Sequence, residues 1–287
     1  MLLCGKFPNP DLGTTLQYNC GYWPAKLLER FIWLGTNSQT DFDWFFAHTR
    51  SLMVVQMSMG QPITMYGTFY QSTRIEDLTG ITWNTSLCTN FRATFYYMEN
   101  LKKLPVVDIS SALTLRTVFW SCGLLRNIPF KGSSINCTNF FGVFAACYLL
   151  ESFPILDTRN GTDFIYMYYN CLSILDFPWI DTSKGTLFTN MYALNYFAKS
   201  FPLIDTSQGT DFSSMYSTWY GTGKLPSINT SKGLSFSKMY YSCLFVEDFP
   251  WIDTSLGTDF SSMYTGAYNA KSFPALNTIN EIGRAHV

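Results

Sequence analysis

The sequence has little charge and almost no histidine. Charged residues make up 14% of the 287 residues, the formal net charge is −1, and there are two histidines. A chain this close to neutrality offers no strongly basic surface to a nucleic acid or an anionic membrane. One histidine, His48, has no serine, cysteine or carboxylate pattern assembled around it. We therefore interpret His48 as a surface or packing residue and not as a catalytic base.

The sequence also lacks the motifs of metal sites and of membrane spans. Neither HExxH nor CxxC occurs, and these spacings are typical of protein zinc and redox sites. No apolar run reaches the ~18 residues that a membrane-spanning helix needs. The opening residues "MLLCGKF" lack the basic region of a signal peptide. These absences predict a protein that is not an enzyme, has no cofactor and is not inserted in a membrane.

The dominant feature of the sequence is an internal repeat. The stretch "FPILDTRNGTDFIYMYYNC" at Phe153 recurs in close variants at Phe177, Phe201, Leu225 and Phe249, each 24 residues after the last. Fainter copies precede these and extend toward the start of the chain. We number the repeat from the first residue of "FP" as position 0. A repeat of this length is one small structural unit that buries its apolar face only by stacking on its neighbours.

Each repeat predicts a strand, two bends and a helical turn. Apolar residues at positions −3, 0 and 2 alternate with polar ones, which indicates a strand with one buried face. Nine of the 12 prolines stand at position 1, where we expect the strand to end. Asp or Asn at position 4 predicts an Asx turn, and Gly at position 8 predicts a bend that needs a free φ. Positions 11, 14 and 15, such as Phe212, Met215 and Tyr216, have helical spacing and are predicted to point inward.

The predicted fold is therefore an α/β solenoid built from 24-residue coils, with one short parallel strand and one helical turn per coil. We assign residues 1–54 to degenerate N-terminal coils and 55–280 to regular coils of the same continuous domain. The last seven residues, "EIGRAHV" at 281–287, break the repeat register. Since they match the translation of a common sequencing adapter, we interpret them as a non-native tail.

The repeat resembles a known family. "DTSxGTDFSSMY" and the "MYxxC" at 167–171 and 239–243 are similar to the repeat of BspA-like leucine-rich-repeat surface proteins, the DUF285 class. The combination of "FP" with Gly at position 8 is similar to repeat proteins carried by bacteriophages. The resemblance covers about residues 31–280. It implies a right-handed, leucine-rich-repeat-like superhelix at an extracellular, cell-surface or virion location, used for adhesion and without catalytic residues.

The cysteines follow the repeat. Cys122, Cys147, Cys171 and Cys243 fall near position 18, where a small residue packs between coils, and we predict buried free thiols. The alternative is a disulfide between neighbouring coils, such as Cys122 with Cys147, which requires the coils to be in register.

The aspartates at position 4 admit two interpretations. Repeated carboxylates gather calcium in some solenoids. Asn229 and Asn277 replace the charge without disturbing the repeat, so we favour turn capping and predict no metal.

The polar residues just before each "FP" form the candidate binding site. On stacked coils they are predicted to line one exposed strand face, whose charges change from coil to coil while the inward positions hardly change. The predicted site consists of Arg126, Asn127, Glu151, Ser152, Asp176, Lys199, Ser200, Lys224, Glu247, Asp248, Lys271 and Ser272. We expect it to bind a protein or glycan ligand on a cell surface, as in a phage tail-fibre-associated adhesin. The alternative is a structural spacer that only holds other domains apart.

Overall fold

The repeats pair with one another in parallel along the part of the chain that can be described. A computed structural model describes residues 29–33, 35 and 38–280. The predicted coils before residue 29 and the tail at 281–287 lie outside these residues, as do Cys4, Cys20 and His286.

Five short strands occur in the described residues, all in parallel pairs. β1 (Arg30–Ile32), β2 (Val54–Gly60) and β3 (Ile81–Trp83) form a three-stranded sheet in that order. β4 (Val107–Asp108) and β5 (Phe130–Lys131) form a second, two-stranded sheet. Later repeats are joined by single parallel bridges, such as the one between Asp176 and Ser200.

Proline explains why the strands shorten along the chain. The prediction of one strand in every repeat is wrong, because after β5 the described repeats contain isolated bridges only. The repeats that supply β1 to β3 have no proline at position 1, whereas every repeat from Leu104 onward has one. A proline has no N–H to give to the ladder and so interrupts it.

Consecutive turns replace the predicted helical turn, which is a second correction. The N–H groups of Phe212 and Ser214 donate to the carbonyls of Ser235 and Ser237 in the next repeat, at 2.9 and 2.8 Å. By contrast, the N–H of Met215 donates to the carbonyl of Phe212 within its own repeat. Ser214 has a left-handed φ of 56°. An α-helix would use all of these donors internally; here alternate donors hold neighbouring repeats together.

The inward direction of positions 11, 14 and 15 is confirmed. Phe212, Met215 and Tyr216 are fully buried. The Phe212 ring stacks on Phe188 and Phe236 in the neighbouring repeats, with centroids 5.7 and 5.8 Å apart. The core is therefore a set of columns, in each of which one kind of side chain stacks on its equivalents from repeat to repeat.

The glycine at position 8 is needed for space and not for a left-handed φ. Gly209 does not have a left-handed φ, but a Cβ there would lie 2.4 Å from Cζ of Phe212. Glycine is therefore required at this bend because an aromatic ring packs directly against the backbone and leaves no room for a side chain.

The Asx turn at position 4 is confirmed. Oδ1 of Asp181 accepts from the N–H of Ser183 at 3.0 Å, and Oδ1 of Asn229 accepts from the N–H of Ser231 at the same distance. Because the neutral amide makes the same turn as the carboxylate, the turn does not depend on the charge.

The four cysteines near position 18 are buried and free, as predicted. Their thiols donate to backbone carbonyls of the preceding repeat. The thiol of Cys171 lies 3.2 Å from the carbonyl of Phe144, and that of Cys243 lies 3.2 Å from the carbonyl of Tyr216. Burial raises the pKa of the Cys243 thiol to about 12 and raises that of Cys171 well above its ordinary value.

We expect Cys171 and Cys243 to resist alkylation in the folded protein. The thiolate is the reactive form, and burial both suppresses it and blocks access to the sulfur. The measurement is maleimide labelling at pH 7, followed by peptide mapping, with and without denaturant. A Ser183→Cys variant supplies an exposed thiol as the control. If Cys171 and Cys243 were labelled in the native state as fast as the control thiol at position 183, position 18 would lie at the surface.

Candidate binding surfaces

All twelve residues of the predicted site are exposed. The structure aligns them in columns, because parallel bridges join Asp176 to Ser200 and Asp248 to Ser272. We call this exposed region, together with the exposed residues at position 2, the FP surface.

Some charges on the FP surface pair with each other across neighbouring repeats. Arg126 meets Glu151 at 2.7 Å, and Lys271 meets Glu247 at 2.6 Å. Both pairs are exposed, so each contributes little stability. Lys199 and Lys224 form no ion pair with any described residue, so these two positive charges are not compensated within the described surface.

Large apolar side chains also lie on the FP surface, where the sequence predicted burial. The exposed fractions at position 2 are 94% for Ile155, 69% for Trp179, 65% for Leu203 and 66% for Trp251. The burial predicted at this position is wrong. The buried residue is the isoleucine or leucine at position 3, such as Ile180, because the segment after the proline no longer follows the alternation of a paired strand.

A second surface feature was missed at the sequence level. A groove of about 400 Å³ crosses the early repeats on the side of the turn segment. We call it the aromatic groove; its rings belong to Trp44, Tyr66, Tyr70, Tyr96, Trp120 and Phe141. These side chains are all partly exposed.

Four rings of the aromatic groove form a contiguous row across four repeats. The centroids are 5.3 Å apart for Trp44 and Tyr70, 4.8 Å for Tyr70 and Tyr96, and 6.2 Å for Tyr96 and Trp120. This row could not be predicted from the sequence, because the early repeats differ in length and the ring positions do not recur at a constant spacing. The bridges that join Asp41 to Thr64 and Thr64 to Asn90 span 23 and 26 residues instead of 24.

Two arginines complete the aromatic groove. The guanidinium of Arg92 lies over the ring of Tyr66 at 5.2 Å, and that of Arg116 lies over the ring of Phe141 at 4.0 Å. Arg116 also lies 3.9 Å from a carboxylate oxygen of Asp163. Burial raises the pKa of the Asp163 carboxyl, although its hydrogen bonds and Arg116 oppose that shift.

The structure places His48 at the surface, beside an aromatic ring. The residue is exposed, has a left-handed φ of 59°, and its ring contacts the ring of Tyr70 at 5.2 Å. Within the described ranges, no group of three or more His, Cys, Asp or Glu side chains is placed to hold a metal ion. No helix there is long and apolar enough to cross a membrane.

A known family model matches the repeats of this chain. The family model described as "Mycoplasma protein of unknown function, DUF285" matches residues 63–192 and 162–277. The two matches overlap and together span residues 63–277, well over half of the chain. No curated protein and no solved structure matches the chain.

Proposed function

The chain is a member of the DUF285 family, and from its surface we propose that it is a non-enzymatic recognition protein that binds a protein or glycan through the FP surface. Its place of action would be the outside of a cell or a virion. The family's function is unknown, so the proposal rests on features of this chain.

The observation that carries the proposal is the contrast between positions 2 and 3. Position 3 is a buried Ile or Leu in each repeat from Phe153 to Phe249, whereas position 2 changes from Trp179 to Leu203, Ser227 and Trp251 while staying exposed. Ser227 indicates that the scaffold does not need an apolar side chain there. Exposed tryptophans on a polar background are typical of binding surfaces, where they act as anchors.

For the architecture, we propose a right-handed, leucine-rich-repeat-like solenoid. The 24-residue offset between bridged residues, as in Asp163 with Leu187 and Leu187 with Asp211, supports it. In such a solenoid the outward positions of all repeats form one extended surface. Within this architecture we favour the bacteriophage-type variant, because "FP" and the glycine at position 8 recur together.

A structural spacer is the second candidate. The ion pairs Arg126–Glu151 and Lys271–Glu247 favour it, because charges that neutralise each other within the surface are not available to bind a partner. A spacer does not account for the exposed Trp179 and Trp251.

The test is a fourfold variant with Trp179→Ser, Trp251→Ser, Lys199→Glu and Lys224→Glu. We expect its affinity for the ligand to fall at least about tenfold, since it removes two aromatic anchors and reverses two uncompensated charges. The probes are a displayed random-peptide library and a glycan array, screened first with the natural sequence. The affinity of each selected peptide or glycan is then compared between the natural protein and the variant.

A matched control carries Leu256→Ser and Lys232→Glu at position 7, which is exposed but outside the FP surface. All proteins are first compared by circular dichroism. Selected ligands that bind the natural protein and the control, but not the fourfold variant, support recognition by the FP surface. Failure to select any peptide or glycan would favour the spacer. Equal binding of every selected ligand by a folded fourfold variant would count against recognition by the FP surface.

A further inference from the structure

The aromatic groove is not required by the repeat scaffold. Position 12 holds Arg92 and Arg116 in the early repeats but Ser213, Ser237 and Ser261 in later ones. The later repeats keep a buried apolar residue at position 11 and the same pattern of bonds between repeats. Since the fold also forms with serine at these positions, the repeat scaffold does not explain the arginines and rings of the groove.

Glycines beneath the two indoles give the aromatic groove a flat wall. A Cβ at Gly67 would lie 2.6 Å from the Trp44 ring, and one at Gly142 would lie 2.4 Å from the Trp120 ring. Both indoles therefore lie directly against the backbone of the next repeat. Because they remain partly exposed, each presents ring surface to the groove and is held in place from behind.

Arg92 provides a positive charge that no described residue neutralises. Its side chain is exposed, is stacked over Tyr66, and makes no ion pair in the described part of the chain. Stacking orients a guanidinium while leaving its N–H donors available, and the donor fork fits a carboxylate bidentately.

We propose that the aromatic groove binds a carbohydrate chain that contains a carboxylate-bearing sugar. The apolar C–H face of a pyranose ring packs on the flat indole of Trp120, because the negative face of an aromatic ring attracts those hydrogens. The sugar carboxylate pairs with Arg92. A row of rings across several repeats suits a chain of sugars better than a single one.

A nucleic acid is a poorer fit, although it also stacks bases on aromatic rings. A groove that binds a nucleic-acid strand needs positive charge along its whole length to pair with the phosphates. Here only two arginines line the groove, one of them beside Asp163. Asp43 lies at the same end as Tyr66, since its carboxylate accepts from the Tyr66 N–H at 2.7 Å.

The test is an array of oligosaccharides containing glucuronic, galacturonic or sialic acid, each printed beside its methyl ester, with oligo(dT) as a separate polyanion. We expect the full chain to bind at least one acidic oligosaccharide and to bind its ester at least about tenfold less well. For that oligosaccharide, titration calorimetry should show that Arg92→Gln lowers the affinity about tenfold or more. Trp120→Ala should weaken binding about tenfold.

Two controls keep this result separate from the proposed function of the FP surface, on which it does not rest. Arg74→Gln removes an exposed arginine that lies outside both the aromatic groove and the FP surface, and it should leave binding unchanged. Loss of binding in the fourfold FP-surface variant would instead place this ligand on the FP surface. Arg92 is exposed, so its replacement does not threaten folding. Absence of binding to every acidic oligosaccharide, equal binding of the esters, full binding by Arg92→Gln, or preference for oligo(dT) would each overturn the proposal.

Discussion

Replacing Met215 by aspartate is expected to melt the repeats around it. Met215 is fully buried at position 14, in a column of equivalent buried methionines. A carboxylate there would lose its hydration without gaining a partner, which costs several kcal/mol, on the order of half the stability of an ordinary domain. Because each repeat is stabilised by its neighbours, the loss should spread to the repeats on either side. Circular dichroism and thermal unfolding measure the effect.

Two variants control this experiment. Met215→Leu conserves volume and should cost less than about 1.5 kcal/mol. Ser213→Asp places the same charge two residues away at the partly exposed position 12, where Asp43 stands in the first described repeat, and should have little effect. An unchanged melting temperature for Met215→Asp would show that position 14 does not face the core.

Replacing Asn195 by alanine should have the second-largest effect. Asn195 is buried at position 18, where the repeats of Cys122, Cys171 and Cys243 have cysteine. Its Oδ1 accepts from the N–H of Cys171 at 2.7 Å, and its Nδ2 donates to the carbonyls of Tyr168 and Tyr192, both at 2.8 Å. Alanine leaves these buried backbone groups without their partner, and we expect a loss of about 3 kcal/mol in the free energy of unfolding.

Asn195→Cys separates the hydrogen bonds from the packing. A thiol can donate to the carbonyl of Tyr168, as Cys171 does to the carbonyl of Phe144, but it supplies only a weak acceptor for the Cys171 N–H. The expected order of stability in urea denaturation is therefore asparagine, then cysteine, then alanine. Equal stability of the alanine and asparagine proteins would mean that water replaces these bonds at little cost.

Several features could be predicted from the sequence because they depend on the periodic spacing of side chains. The 24-residue period, the inward columns represented by Phe212 and Met215, the Asx turns at position 4 and the buried thiols were all predicted from identical residues at identical positions. Burial of an apolar column and capping by a short polar side chain are local or strictly repeated effects, so a single sequence is enough to predict them.

Other features depend on which backbone donors neighbouring repeats share, and sequence spacing does not contain that information. A helical turn and a ladder of turns place Phe212 and Met215 equally well in the core; the bonds from Phe212 and Ser214 to the next repeat decide between them.

The same limit applies to the surfaces. Exposure of Trp179 follows from the unpaired backbone after its proline, and the aromatic groove forms only when repeats of unequal length are aligned in space. The sequence by itself determined which side chains fill the core of every repeat. Only the tertiary structure decided which side chains are exposed at the surface, because exposure depends on contacts between repeats.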